Sequence, residues 1–349
     1  MMLCQCWHRC LRSRTKKVEK MKYKAEIEVA VLLLFFNRAN CIKQVFEQVK
    51  KARPSKLFLY QDGPRNEKDI VGINECRRIV SDIDWECEVH TFYQDRNFGC
   101  DPSEYISQKW MFSIVDKGII LEDDDVPSVS FFKFCKELLD KYEDDERICM
   151  ISGMNYEEET KNCPYDYFFT SDSAIWGWAS WKRVIDKWDE KYSFLDDEYH
   201  VNLLHKYIKN TKQRSFLIKM FNQHRNSGKE YYESILIANQ LLNHGLAIVP
   251  RKNLITNIGL TSDSTHFNGS LKSVPNSIAR IFTMKRFELD FPLKHPNFVI
   301  ENLYYKERID KILARNSRLR TIIRQIQTLF LRVFYGDFSS IKKSILKRF

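Results

Sequence analysis

Short unbroken apolar runs alternate with stretches whose apolar residues recur every three or four positions through the N-terminal part of the chain. Residues 28–36 (EVAVLLLFF) are the most apolar run, the pattern of a strand buried on both faces. Asn37, Arg38, Ala39 and Asn40 interrupt it. Ile42, Val45, Phe46 and Val49 then keep helical spacing over 41–51, with Pro54 closing the helix. A strand at 57–60 follows, with a sharp turn at Gln61-Asp62-Gly63-Pro64. A helix over about 68–80, a strand at 87–93, a loop at 94–101 and a helix over 105–115 lead into the strand at 118–121. Such alternation predicts an α/β fold with a parallel, doubly wound sheet.

The stretch 118–128 (GIILEDDDVPS) changes the picture most. Ile119, Ile120 and Leu121 read as a buried strand that delivers Glu122, Asp123, Asp124 and Asp125 to its C-terminal end. Like charges at close range raise each other's pKa, and a hard divalent cation bound by oxygen would relieve the repulsion. The plain alternative is a solvated acidic turn. In open α/β sheets ligands bind beyond the carboxyl ends of the strands. Arg38, Asp62, Asn97 and the acidic cluster all fall there, around one expected crevice. No G-x-G-x-x-G follows the first strand and no G-x-x-x-x-G-K-[ST] occurs, which argues against a dehydrogenase-type dinucleotide fold and a P-loop NTPase.

Beyond the acids, 131–142 carries helical periodicity and 151–155 reads as a short strand and turn. Residues 176–181 (WGWASW) hold three tryptophans. They suit either core packing or a wall that stacks on a sugar ring, and Trp178, after Gly177, is expected to face the cleft. Residues 188–228 are polar and irregular apart from a helix near 201–208, as in an acceptor-side insertion or lid. A helix over 230–243 and a strand at 247–249 follow. Residues 317–334 place eight large apolar residues at i, i+3, i+4, i+7 spacing among arginines, and 338–349 repeats the pattern weakly. A basic amphipathic pair suits an anionic membrane surface, docking on the body, or a second subunit.

Composition adds bounds. The 349 residues are 44% hydrophobic and 13% aromatic, which excludes global disorder. The net charge of +10 is uneven: residues 1–24 set eight basic residues against Glu19, and 306–349 set twelve against Glu307, Asp310 and Asp337. The body between them is acidic. The expected division is a basic extension at 1–24 without order, one catalytic domain at 25–305, and a basic helical tail at 306–349. Basic ends suit an anionic surface or nucleic acid. Nucleic acid is not expected, because the acidic body lacks a basic face interleaved with aromatics. Ten scattered cysteines without metal-ligand spacing, and no cleavable signal peptide, suggest a reducing, cytoplasmic setting. No apolar run is long enough for a membrane span.

VLLLFFNRAN, LYQDGPR, DRNFGC, GIILEDDDVPSVSFFKFCKELLDKYEDDERICMISGMN and WGWASWKR, in this order, resemble glycosyltransferases of the GT-A fold. The likeness is to a bacterial group of nucleotide-diphospho-sugar transferases, related more distantly to N-acetylglucosaminyltransferase I, and runs from about Val29 to Phe267. It implies that Arg38 and Asp62 contact the nucleotide base, and that Glu122-Asp123-Asp124 is the family's E-D-D, whose last acid holds Mn²⁺ or Mg²⁺ under the donor diphosphate. Asp125 falls where the relatives vary and is expected to be a bystander. Glu233 stands where the relatives carry an aspartate that resembles the catalytic base of inverting enzymes. His266, in a segment like the family's closing N-x-G…A-T-H, would reach the metal or diphosphate, and Asp172 or Asp263 would be the next bases to consider. The implied activity is transfer from a nucleotide-sugar donor, with uridine diphosphate favoured, to a glycan or lipid-linked acceptor at the inner face of the cell membrane. The rival readings are a sugar-nucleotide-binding protein without catalysis and a metal-dependent nucleic-acid binder.

Overall fold

The computed structural model describes residues 22–260, 275–315 and 318–337. β1 (Ile27–Phe35), α1 (Ala39–Ala52), β2 (Pro54–Gln61), α2 (Asp69–Val80), β3 (Glu88–Tyr93), α3 (Cys100–Phe112) and β4 (Lys117–Glu122) alternate as the periodicity predicts. They are followed by β5 (Asp125–Pro127), α4 (Val129–Lys141), β6 (Ile148–Ser152), β7 (Tyr167–Thr170), β8 (Trp178–Trp181) and the single turn α5 (Lys182–Ile185). Next come α6 (Glu198–Tyr207), α7 (Thr211–Ser227), α8 (Tyr232–Leu242), β9 (Leu246–Pro250) and β10 (Ile255–Asn257). The last described elements are α9 (Asn276–Phe282), α10 (Leu303–Ile312) and α11 (Arg318–Phe334).

Eight strands form one sheet in the order β3-β2-β1-β4-β8-β6-β9-β7. β3, β2, β1 and β4 are parallel, β6 pairs in parallel with β9, and only β8 and β7 run against their neighbours. This is a mixed α/β fold with a mostly parallel, Rossmann-like sheet. α3 and α4 both lie against β1 and β4, while α1 packs on α2 and α4, and α3 on α5 and α8. Val31, Leu32 and Leu33 are consequently buried at successive positions, each contributing roughly 1.5–3 kcal/mol. A charge at Leu33 would break this layer. The chain steps outward from β1 to β3, then returns to the other side of β1 as β4. Strand order therefore reverses between β1 and β4, where ligand crevices form, and Leu34 pairs with Glu122 to bring the two strand ends level.

Several elements depart from the pattern-based expectation. α3 starts at Cys100, not near 105, because Asp101 and Pro102 sit in its first turn, where both residue types are favoured. Pro54 opens β2 as well as ending α1. Residues 188–228 hold two α-helices, not one, after a short 3-10 turn at Ser193–Asp196. Asp197 caps α6 by accepting from the Tyr199 and His200 N–H groups, and Asn210 caps α7 by accepting from Lys212 and Gln213. Only Leu217 and Phe221 of α7 are buried, so its apolar periodicity is faint. Acids of the cluster continue into β5, which pairs with β10 in a separate two-stranded sheet. The boundary expected at 305/306 falls inside α10, whose Tyr305 and Ile309 are fully buried against Phe168 and Val249. Among the described residues no disulfide forms, and no helix is long and apolar enough to cross a membrane.

Candidate functional site

β4 ends in the tight turn that holds Asp123 and Asp124. Arg38, at the entry to α1, ion-pairs with Asp123 and reaches Asp124 Oδ2 at 2.8 Å. Asn257, from β10, donates to Asp124 Oδ1 at 2.9 Å and to Asp125 Oδ1 at 3.1 Å. The other Asp125 oxygen accepts from the Gly177 N–H at 2.8 Å. Asp125 is thus not a bystander. It is fully buried and ties the acidic turn to the tryptophan segment, with Gly177 held at φ 58°, where glycine is favoured.

The electrostatics follow from burial. Burial pushes the Asp123 carboxyl up to about 6, against the pull of Arg38. Burial, reinforced by the neighbouring Asp124, raises Asp125 well above its ordinary value. Burial works against the Arg38 charge too, yet Asp123 and Asp124 hold its pKa above the usual arginine value.

A cleft of about 920 Å³ opens beside this turn, lined by Arg38, Asp62, Asn97, Glu104, Glu122 and Asp123 among others. Asp62 braces the cleft wall. Its Oδ1 accepts from the Gly63 and Phe98 N–H groups, both at 2.9 Å, and its Oδ2 from Asn97 Nδ2 at 2.7 Å and the Gly99 N–H at 3.0 Å. Asn97 also donates to the Gly63 carbonyl at 2.9 Å. The loop after β3 is thereby fastened to the turn after β2. Nearby, Asp69 takes Arg65 in a two-point pair and accepts from Asn37 at 2.7 Å.

Glu104, which the sequence reading missed, is 5% exposed. Burial pushes its carboxyl well above the ordinary value, and the charge of Glu233 adds to this. Glu122 is raised by burial and then by Glu104. Glu233, half-buried in the first turn of α8, therefore belongs to the same acidic neighbourhood. The start of α8 is held by Ser234, whose Oγ lies 2.5 Å from Tyr192 OH and 2.7 Å from His224 Nδ1. Tyr192 and His224 come from the polar segment before α8, which packs as a scaffold for Glu233. The one sequence clue to Glu104 was the D-P-S-E start of α3, a helix-start signal that says nothing of burial.

Other expected residues sit elsewhere. Trp178 is 1% exposed in the middle of the sheet, stacked on Tyr232 at 6.4 Å, so it is core and not a cleft wall. Asp172 is paired with Arg315. His266 and Asp263 lie outside the described residues.

Carboxylate oxygens are the right donors for a hard cation. Gly259 leaves the room for them, since a Cβ there would meet Asp124 Oδ2 at 2.1 Å. The donor chemistry fits Mn²⁺ or Mg²⁺, but Arg38 and Asn257 already engage both Asp124 oxygens. Among the described residues no three His, Cys, Asp or Glu side chains converge to hold an ion.

No family model matches the sequence, and no curated protein matches it. Among solved structures, the inositol-1-phosphate CTP transferase from T. maritima is similar over 74% of this chain and 97% of its own, with 9% identity and a TM-score of 0.38. The glycosyltransferase GlyE from Streptococcus pneumoniae TIGR4 is similar over 64% of this chain and 45% of its own, with 11% identity and a TM-score of 0.30. The chain thus spans less than half the length of GlyE. Overlaps this shallow carry no argument about activity, and the fold stands on its own strand order.

Proposed function

We propose that the chain is a glycosyltransferase that moves a sugar from a nucleotide-diphosphate donor, with uridine diphosphate favoured, to a hydroxyl of a glycan or lipid-linked acceptor. The observation that carries this reading is the acidic turn after β4, opening on the cleft where strand order reverses. The wall braced by Asp62 and Asn97, with Arg38 lining the same cleft, suits the nucleotide base.

Glu233 takes the proton of the acceptor hydroxyl as its oxygen bonds to the anomeric carbon. The bond from that carbon to the diphosphate oxygen breaks, and the configuration inverts. Ser234, between Tyr192 and His224, fixes the helix start that carries Glu233. A Mn²⁺ or Mg²⁺ ion held by Asp124, with His266 as a further ligand, would supply positive charge against the departing diphosphate.

A second reading, donor binding without turnover, is favoured by one contact: Arg38 sits on the carboxylate that a metal would need. Thermal shifts with a panel of nucleotide sugars, with and without Mn²⁺, test the binding that both readings share. At least one nucleotide sugar should raise the melting temperature. If neither nucleotide sugars nor nucleotides do so, both readings fail. Donor hydrolysis or transfer then separates the enzyme from the binder.

A further inference from the structure

α11 turns its apolar residues toward solvent, not toward the body. Leu319, Ile322, Ile326, Phe330, Val333 and Phe334 fall within an arc of roughly 120° at 3.6 residues per turn. All six are exposed, from 50% at Ile322 to 71% at Phe334. Ile323 and Leu329 continue the stripe, at 44% and 53%. The opposite arc is the sheltered one, with Arg324, Thr328, Leu331 and Arg332 half-buried. Arg324 Nη1 also donates to the Leu313 carbonyl at 2.5 Å. The helix is attached by its polar side, the reverse of an ordinary surface helix. A contiguous apolar patch of this kind marks an interaction surface.

Charge selects the partner. The exposed Arg320 borders the stripe, and residues 318–336 hold four arginines and no Asp or Glu. The sequence beyond adds Lys342, Lys343, Lys347 and Arg348 against Asp337 alone. A second copy of this helix would add arginines and no carboxylate to pair with them, whereas anionic headgroups complement this excess of positive charge. We propose that α11 is a docking surface for an anionic lipid bilayer. It lies in the plane of the interface, with its apolar stripe at the acyl boundary and Arg320 at the level of the phosphates.

Co-sedimentation of the full chain with vesicles tests this. The protein should bind phosphatidylcholine vesicles that contain phosphatidylglycerol, and not phosphatidylcholine alone. Binding should weaken about tenfold or more between about 0.1 M and about 0.5 M salt, as the headgroup attraction is screened. Ile326→Asp combined with Phe330→Asp alters only exposed positions, so the melting temperature should hold while vesicle binding falls about tenfold or more. Equal binding to both vesicle types, no binding to either, or wild-type binding by the double variant would overturn the proposal. So would a concentration-dependent dimer in light scattering that the double variant dissolves while vesicles stay unbound, an outcome that assigns the stripe to a second copy.

Discussion

Arg38 Nη2 lies 2.8 Å from Asp124 Oδ2. With Asp123 on the same guanidinium, one arginine compensates two buried acids at the end of β4. Removing one partner of a buried pair leaves uncompensated charge. Arg38→Ala should therefore lower stability by about 3–5 kcal/mol in urea titrations without metal. It should also enlarge the stabilisation by Mn²⁺, because the ion no longer competes for Asp124. A Mn²⁺ response unchanged by the substitution would remove the competition.

Asp125 is a strut between Gly177 and Asn257. Asp125→Ala strands a buried N–H and a buried amide, at a cost of about 2–4 kcal/mol by denaturant titration. The same change at a solvated bystander would cost under about 0.5 kcal/mol, and a loss that small would refute the strut.

Glu104 sets a pH dependence whose sign can be worked out. Its folded-state pKa stands well above the ordinary 4.5, through burial and the charge of Glu233. The stability this represents is fully present below pH 4.5 and is lost as pH rises through the folded-state value. Glu104→Gln cannot ionise, so it should gain melting temperature relative to wild type at pH 8 more than at pH 5. A difference that does not vary with pH would show that Glu104 ionises as freely folded as unfolded.

If Glu233 is the general base, Glu233→Gln should lose about 10²–10⁴-fold in turnover with donor affinity little changed. Glu233→Asp should keep partial activity. Near wild-type transfer by the Gln variant, measured in single turnovers so that chemistry is observed, would send the search for the base to Glu104 and Asp263.

The alternation of β1 through β4 and the acidic end of β4 were legible in the residues themselves, because strand burial and helix amphipathicity are local patterns of period 2 and 3.6. The same locality placed Arg38, Asp62, Asn97 and Asp123 at strand ends. The tertiary structure alone decided which way side chains face, since that depends on neighbours distant in sequence. Trp178 is core because β8 lies between β4 and β6. Asp125 is a strut because Asn257, far along the chain, comes back beside it. Glu104 is a buried acid because α3 packs against the sheet and α8, and α8 also brings Glu233 near it, a proximity with no local signature. The amphipathic stripe of α11 was plain in the sequence, but periodicity is blind to which arc meets the body. Only the fold shows the apolar arc turned to solvent.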